Sequence, residues 1–181
     1  MNSIESKVIG SLVQNDKFET WWRSAPHLID LVGENLPITF MDFDPSKDED
    51  FVRESDEALK LFLEISGMYK LKIAQPIFEN FVEYVSYIEE KDIPEKMKGA
   101  TPLSIWNFIY PTEVFVSRRA VNDKDIYIVL ACECEWEKEH GLQLVFRQGK
   151  KLTRVSDQDG HLTEADAYDI PDSEDKLLAA F

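Results

Sequence analysis

The stretch ACECEWEKEHGLQ, Ala131 to Gln143, puts two cysteines, four glutamates, a tryptophan and a histidine into thirteen residues. Side chains of these types support three chemistries: a thiolate–imidazole metal site, a Cys–His nucleophile, or paired carboxylates for acid–base work. Each needs its groups to converge, and strand alternation decides whether they do. Alternation sends Ile128, Leu130, Cys132, Cys134 and Trp136 to one face and Glu133 and Glu135 to the other. A five-residue loop, 137–141, then predicts a hairpin with Trp136 opposite Leu142, Cys134 opposite Leu144 and Cys132 opposite Phe146. Gly141 supplies the positive φ at the exit. In that register both cysteines are small core hydrophobes, and a reactive thiolate needs a partly exposed, electropositive setting instead. His140 stays in the loop, away from them. Neither a zinc site nor a thiol nucleophile is expected, and no cofactor is implied.

A second stretch, RVSDQDGHLTEADAYD, places Asp157, Asp159, Gly160 and Leu162 as in positions three, five, six and eight of a calcium loop. Val155 would occupy the first ligand position and cannot coordinate, and Asp166 would stand where a bidentate glutamate belongs. A polar turn ending a strand is the expected structure. The alternative is a metal-dependent enzyme or divalent-metal-binding protein using Asp157, Asp159 and His140 or His161. No G-x-S-x-G, P-loop or G-x-G-x-x-G pattern occurs, so the chain is not expected to be an enzyme.

The elements that must position these residues fall into blocks. Residues 7–43 read as β-rich, in the short runs KVIGSLVQ, KFETWW, HLIDLV and LPITFMDF with turn signals between them. Residues 46–109 read as helical. Ser46 and Glu49 form a capping-box pattern before the apolar series Phe51, Leu59 and Phe62. A second helix is expected to open near Pro76, with Ile77, Phe81, Tyr84 and Ile88 on its stripe. Thr101-Pro102 signals a third, ending before Pro111. From residue 113 to 156 the period becomes two, in four runs joined by short turns, which predicts an antiparallel meander. Residues 157–181 form an acidic tail. The expectation is a single α+β domain over 1–181: an antiparallel sheet, built from the N-terminal segment and the C-terminal meander, packed on one face by two to three helices.

The chain carries 20 Lys and Arg against 35 Asp and Glu, a net charge of −15. That charge disfavours nucleic acid and anionic membranes as partners, and suits a basic protein steered in by the field. The candidate partner-binding residues are Trp22, as an aromatic anchor, with Glu133, Glu135, Glu137, Glu139 and His140 on the hairpin. No run approaches the ~20 apolar residues of a spanning helix. MNSIESKVIGSLVQND has no secretory pattern, and two cysteines spaced i, i+2 suit a reducing compartment. A cytoplasmic protein is expected.

CECEWEKEHGLQLVF followed by GK, and TPLSIWNFIYPTEVFV upstream, resemble an uncharacterised family of small bacterial cytosolic proteins. Its W-x-x-E-H-G-L-Q hairpin matches Trp136, Glu139, His140, Gly141, Leu142 and Gln143, and the region of Trp21 and Trp22 is also similar. The resemblance implies an acidic, non-enzymatic, single-domain protein of the toxin-immunity kind. It implies no catalytic residue.

Overall fold

The computed structural model describes residues 2–181. Ten strands occur in it: β1 (Ser3–Ser6), β2 (Gly10–Gln14), β3 (Trp22–Ser24), β4 (His27–Ile29), β5 (Glu34–Leu36), β6 (Ile38–Phe40), β7 (Ile109–Arg118), β8 (Ile126–Cys134), β9 (Leu142–Arg147) and β10 (Lys151–Ser156). The helices are α1 (Phe51–Leu63), α2 (Tyr69–Ser86), α3 (Glu164–Tyr168) and α4 (Lys176–Ala179). Eight strands make one sheet in the order β1-β2-β3-β6-β7-β8-β9-β10, and β4-β5 stand apart as a pair. The α+β class is as the pattern predicts, and the meander β7 to β10 is antiparallel throughout. One junction differs from an all-antiparallel sheet: β6 pairs with β7 in parallel, Ile38 opposite Val114.

The first face of the sheet carries the main core. Ile128, Leu130 and Cys132 of β8 and Leu142, Leu144 and Phe146 of β9 point to it, as alternation requires. Helix α1 buries Phe51, Ser55, Ala58, Leu59 and Phe62, a stripe at helical spacing, and sets Phe62 edge-on to Phe146 at 5.2 Å. Helix α2 buries Ile73, Ala74, Ile77 and Phe81 beside it. The turn between β9 and β10 lies directly under α1: a Cβ at Gly149 would come within 2.0 Å of the Ala58 carbonyl oxygen.

Several local expectations are corrected. KVIGSLVQ is broken by a turn, because the Ser6 hydroxyl accepts the N–H groups of Val8 and Ile9 and bends the chain between β1 and β2. Ser46 does not cap α1. Its hydroxyl bonds the Asp44 carboxylate at 2.7 Å, and the helix begins at Phe51. Helix α2 starts seven residues before Pro76, which lies inside it. Burial of Ile73 and Ala74 ahead of the proline outweighs the one lost backbone bond. The segment after Thr101-Pro102 forms a 3-10 turn at Ile105–Phe108, and β7 then runs through Pro111 with a register shift between Pro111 and Glu113.

The acidic C-terminal stretch folds back over the second face. Leu178 of α4 joins Tyr127, Val129 and Val145 in a separate small core, so helices cover both faces rather than one. Among the described residues no helix is long and apolar enough to cross a membrane.

Candidate functional site

In the 131–143 hairpin, Leu142 pairs with Cys132, Leu144 with Leu130 and Phe146 with Ile128. The predicted register is therefore wrong by four positions along β8. An even slip keeps every side chain on its face, so the cysteines still point into the core. The slip arises because Trp136 leaves the strand to pack edge-on to Phe81 at 5.8 Å and donate its indole N–H to Asn80 Oδ1 at 3.1 Å. Gly141 takes φ 68°, and a Cβ there would meet the Cys132 carbonyl oxygen at 2.6 Å. Burial pushes the Cys132 thiol up, and pushes Cys134 to about 11, so neither ionises near neutral pH.

The hairpin carboxylates are not one free surface. Glu135 bonds Lys96 and accepts the Tyr110 hydroxyl at 2.8 Å, and these bonds lower its pKa. Glu137 turns back to accept the N–H groups of Glu139 and His140 at 2.8 and 3.2 Å, closing the loop. Glu133 and Glu139 remain exposed, and His140 Nδ1 lies 3.7 Å from Glu137. Trp22 is buried in the core with its N–H on the Phe43 carbonyl, whereas Trp21 is the half-buried member of the pair. Trp22 thus lies apart from the hairpin glutamates, on β3.

The calcium-like stretch is held by protein partners. Asp159 forms two 2.7 Å bonds with the Arg154 guanidinium and accepts Gln143 Nε2 at 3.2 Å. The His161 carbonyl accepts both Arg154 and Gln143, which ties the turn to β9 and β10. Asp157 is exposed. Among the described residues no group of three His, Cys, Asp or Glu side chains is placed to hold a metal ion.

Two acidic constellations escaped the sequence reading because their parts come from distant segments. In the first, Arg119 is 1% exposed, and all five of its N–H donors reach Asp123, Asp166 and Asp172 at 2.7–2.9 Å. Tyr127 adds its hydroxyl to Asp123 at 2.8 Å. This cluster pins α3 and the chain after it to the β7–β8 turn.

The second is a groove along the free edge of β10, between α2 and the α3–α4 segment. Its adjoining hollows, about 330 and 190 Å³, share Asn80, Glu83, Val155 and Glu164. Tyr84, Tyr87 and Tyr168 line the part nearest Trp136. Burial raises the Glu164 carboxyl; Arg154 pulls it back, while Asp175, Glu83 and Asp159 add to the rise. The Tyr168 hydroxyl is raised by burial and by Glu164 and Glu83. Among the described residues, Glu83, Asp157, Glu164 and Glu174 carry no ion pair within 4.0 Å. The groove is rich in carboxylates, with Lys176 in the lining of one hollow and the three tyrosines in the lining of the other. Its sequence traces were Glu79 and Glu83 one turn apart on α2 and the density of acids after residue 157.

A family model described as a domain of unknown function, DUF6985, matches residues 8–162. The chain belongs to that family. The DUF6985 match spans β2 to β10 and both long helices, and stops before α3, so Glu164, Asp166 and Asp172 lie beyond it. No curated protein and no solved structure matches the chain.

Proposed function

We propose that the protein is a non-enzymatic binding protein of a bacterial cytosol that receives Lys and Arg side chains of a basic protein partner in the β10 groove, as an immunity-type inhibitor of a toxin would. The observation that carries this reading is the set of unpaired carboxylates, Glu83, Asp157, Glu164 and Glu174, lined up with tyrosines in a concave site. Most carboxylates that come close to an arginine elsewhere are already neutralised, as at Arg119, Arg147 and Arg154. Unspent negative charge beside aromatic faces supports recognition of a cation and fast, steered association. Glu139 follows Glu137, which lines the groove beside Trp136, and extends the negative surface.

The test is calorimetric titration of the full chain with the basic protein encoded beside its gene. The expected result is a complex that weakens steeply with salt, and that loses about tenfold in affinity for each of Glu83→Lys and Glu164→Lys. A neighbour that does not bind, or binding indifferent to salt and to both substitutions, removes the proposal.

A further inference from the structure

The second face of the sheet holds a different concavity, an open cleft of about 550 Å³. Its floor is Phe115 of β7 and Val129 of β8, which are register partners. Sheet order sets its walls on opposite sides. Trp21 and Met41 flank it from the β3–β6 side, while His161 and Leu162 return over it from beyond β10. Trp21 stands 6.0 Å from Phe115, edge to face, and is only half-buried.

Two buried polar side chains open into this apolar space. Gln143 is 4% exposed, and its Nε2 points at three acceptors: Ser156 Oγ, Asp159 Oδ1 and the His161 carbonyl. That arrangement fixes the amide orientation, since only the NH2 end can face a carboxylate and a carbonyl. The other end, Oε1, accepts no bond from any described residue, nor is it sealed from solvent. Ser117, 9% exposed on the same face, likewise has an unpartnered hydroxyl that reaches the cleft. By register Ser117 lies one face position beyond Phe115, and Gln143 one beyond Val145 in the other direction, so the two mark opposite ends of the floor.

The arginines at the border of the cleft are occupied within the protein. Arg118 and Arg119 border it, but Asp48, Glu54 and the Lys124 carbonyl take the donors of the first, and three aspartates take those of the second. Asp42 and Asp166 lie at its rim.

We propose that this cleft is a small-molecule site for a neutral, flat heteroaromatic compound. The ring packs against Trp21 and Phe115, and a ring or exocyclic N–H donates to Gln143 Oε1. An acceptor left open on an otherwise buried side chain, at the end of a largely apolar slot, favours a ligand that carries the missing donor.

Gln143 is a poor test residue, because its Nε2 also anchors the 159–161 turn. The discriminating change is therefore made in the ligand. Indole and adenine serve as N–H probes, with 1-methylindole and indole-3-acetate as controls, by saturation-transfer NMR and calorimetry on the full chain. The expected outcome is binding of at least one N–H probe, with 1-methylindole about tenfold weaker than indole and the anion weaker still. Val121→Trp, which fills the cleft from its exposed end, should abolish binding with an unchanged circular dichroism spectrum. If that variant fails to fold, Trp21→Ala should weaken binding instead. No binding of indole or adenine at millimolar concentration overturns the proposal. So does equal affinity for the methylated or anionic control, or undiminished binding by a folded Val121→Trp or Trp21→Ala protein.

Discussion

Asp123, Asp166 and Asp172 converge on the buried Arg119, whereas Glu83, Asp157, Glu164 and Glu174 line the β10 groove without an ion pair, although Lys176 stands in the same lining. Both sites join α3 or its flanks to the body of the molecule, and both are built from acids of the same chain. At Arg119, burial pushes the Asp166 carboxyl up, but its bonds to Arg119 and Thr163 outweigh that and hold it below the usual range. Asp172 is lowered by its bond to Arg119 first of all. In the groove the balance reverses, and burial with neighbouring acids raises Glu164. Carboxylates thus stabilise this fold where a cation closes on them, whereas Glu164 is buried without one. A net charge of −15 describes neither behaviour.

The strongest way to break the comparison is Arg119→Met. It leaves three aspartates facing one another, and should cost about 3 kcal/mol in urea denaturation while freeing the C-terminal segment to proteolysis. Next in size is the acid limb of the stability profile. Asp159, Asp166 and Asp172 titrate below their unfolded values near 4, so the unfolded chain takes up protons first. The stability they contribute is fully present above about pH 4 and is lost as pH falls through the lowered folded values. The urea midpoint should therefore drop as pH falls below about 4, and Arg119→Met should make that drop shallower.

Glu164 should move the other way. Its folded value is raised, so its contribution is present at low pH and is lost as pH rises through the folded value. Glu164→Gln is expected to raise stability by up to about 0.5 kcal/mol at pH 7, with no gain at pH 4. The smallest effect belongs to the Lys96–Glu135 pair, whose lysine is exposed and whose glutamate keeps the Tyr110 hydroxyl: Lys96→Met should leave the urea midpoint nearly unchanged.

How much of this was legible in sequence depends on the range over which each signal acts. Alternation in β8 and β9 predicted which side chains face inward, and it survived a four-residue register error because face depends only on parity. The register itself turned on Trp136 finding Asn80 and Phe81 on α2, more than fifty residues away, which no local pattern encodes. The hairpin glutamates read as one exposed row, yet Glu135 and Glu137 are spent on Lys96 and on the loop's own N–H groups. The parallel pairing of β6 with β7 left no mark either, since short buried strands look alike in both orientations. Arg119 illustrates the same limit. Its neighbour Arg118 is equally basic in sequence, yet it stays partly exposed beside Asp48 and Glu54, and only the return of the C-terminal segment buries Arg119 as a hub.

That β6–β7 junction also bears on how the chain reaches its fold. It is the seam between two antiparallel halves, and closing it brings Ile38 to Val114 across both long helices. Contacts of such sequence separation require a large loop to be ordered before they return any stabilisation, whereas the β7–β10 hairpins form from neighbours. The meander should therefore assemble early and the seam late. Substitutions that weaken β8–β9 pairing would slow refolding, while those confined to Ile38 or Val114 would act mainly by accelerating unfolding.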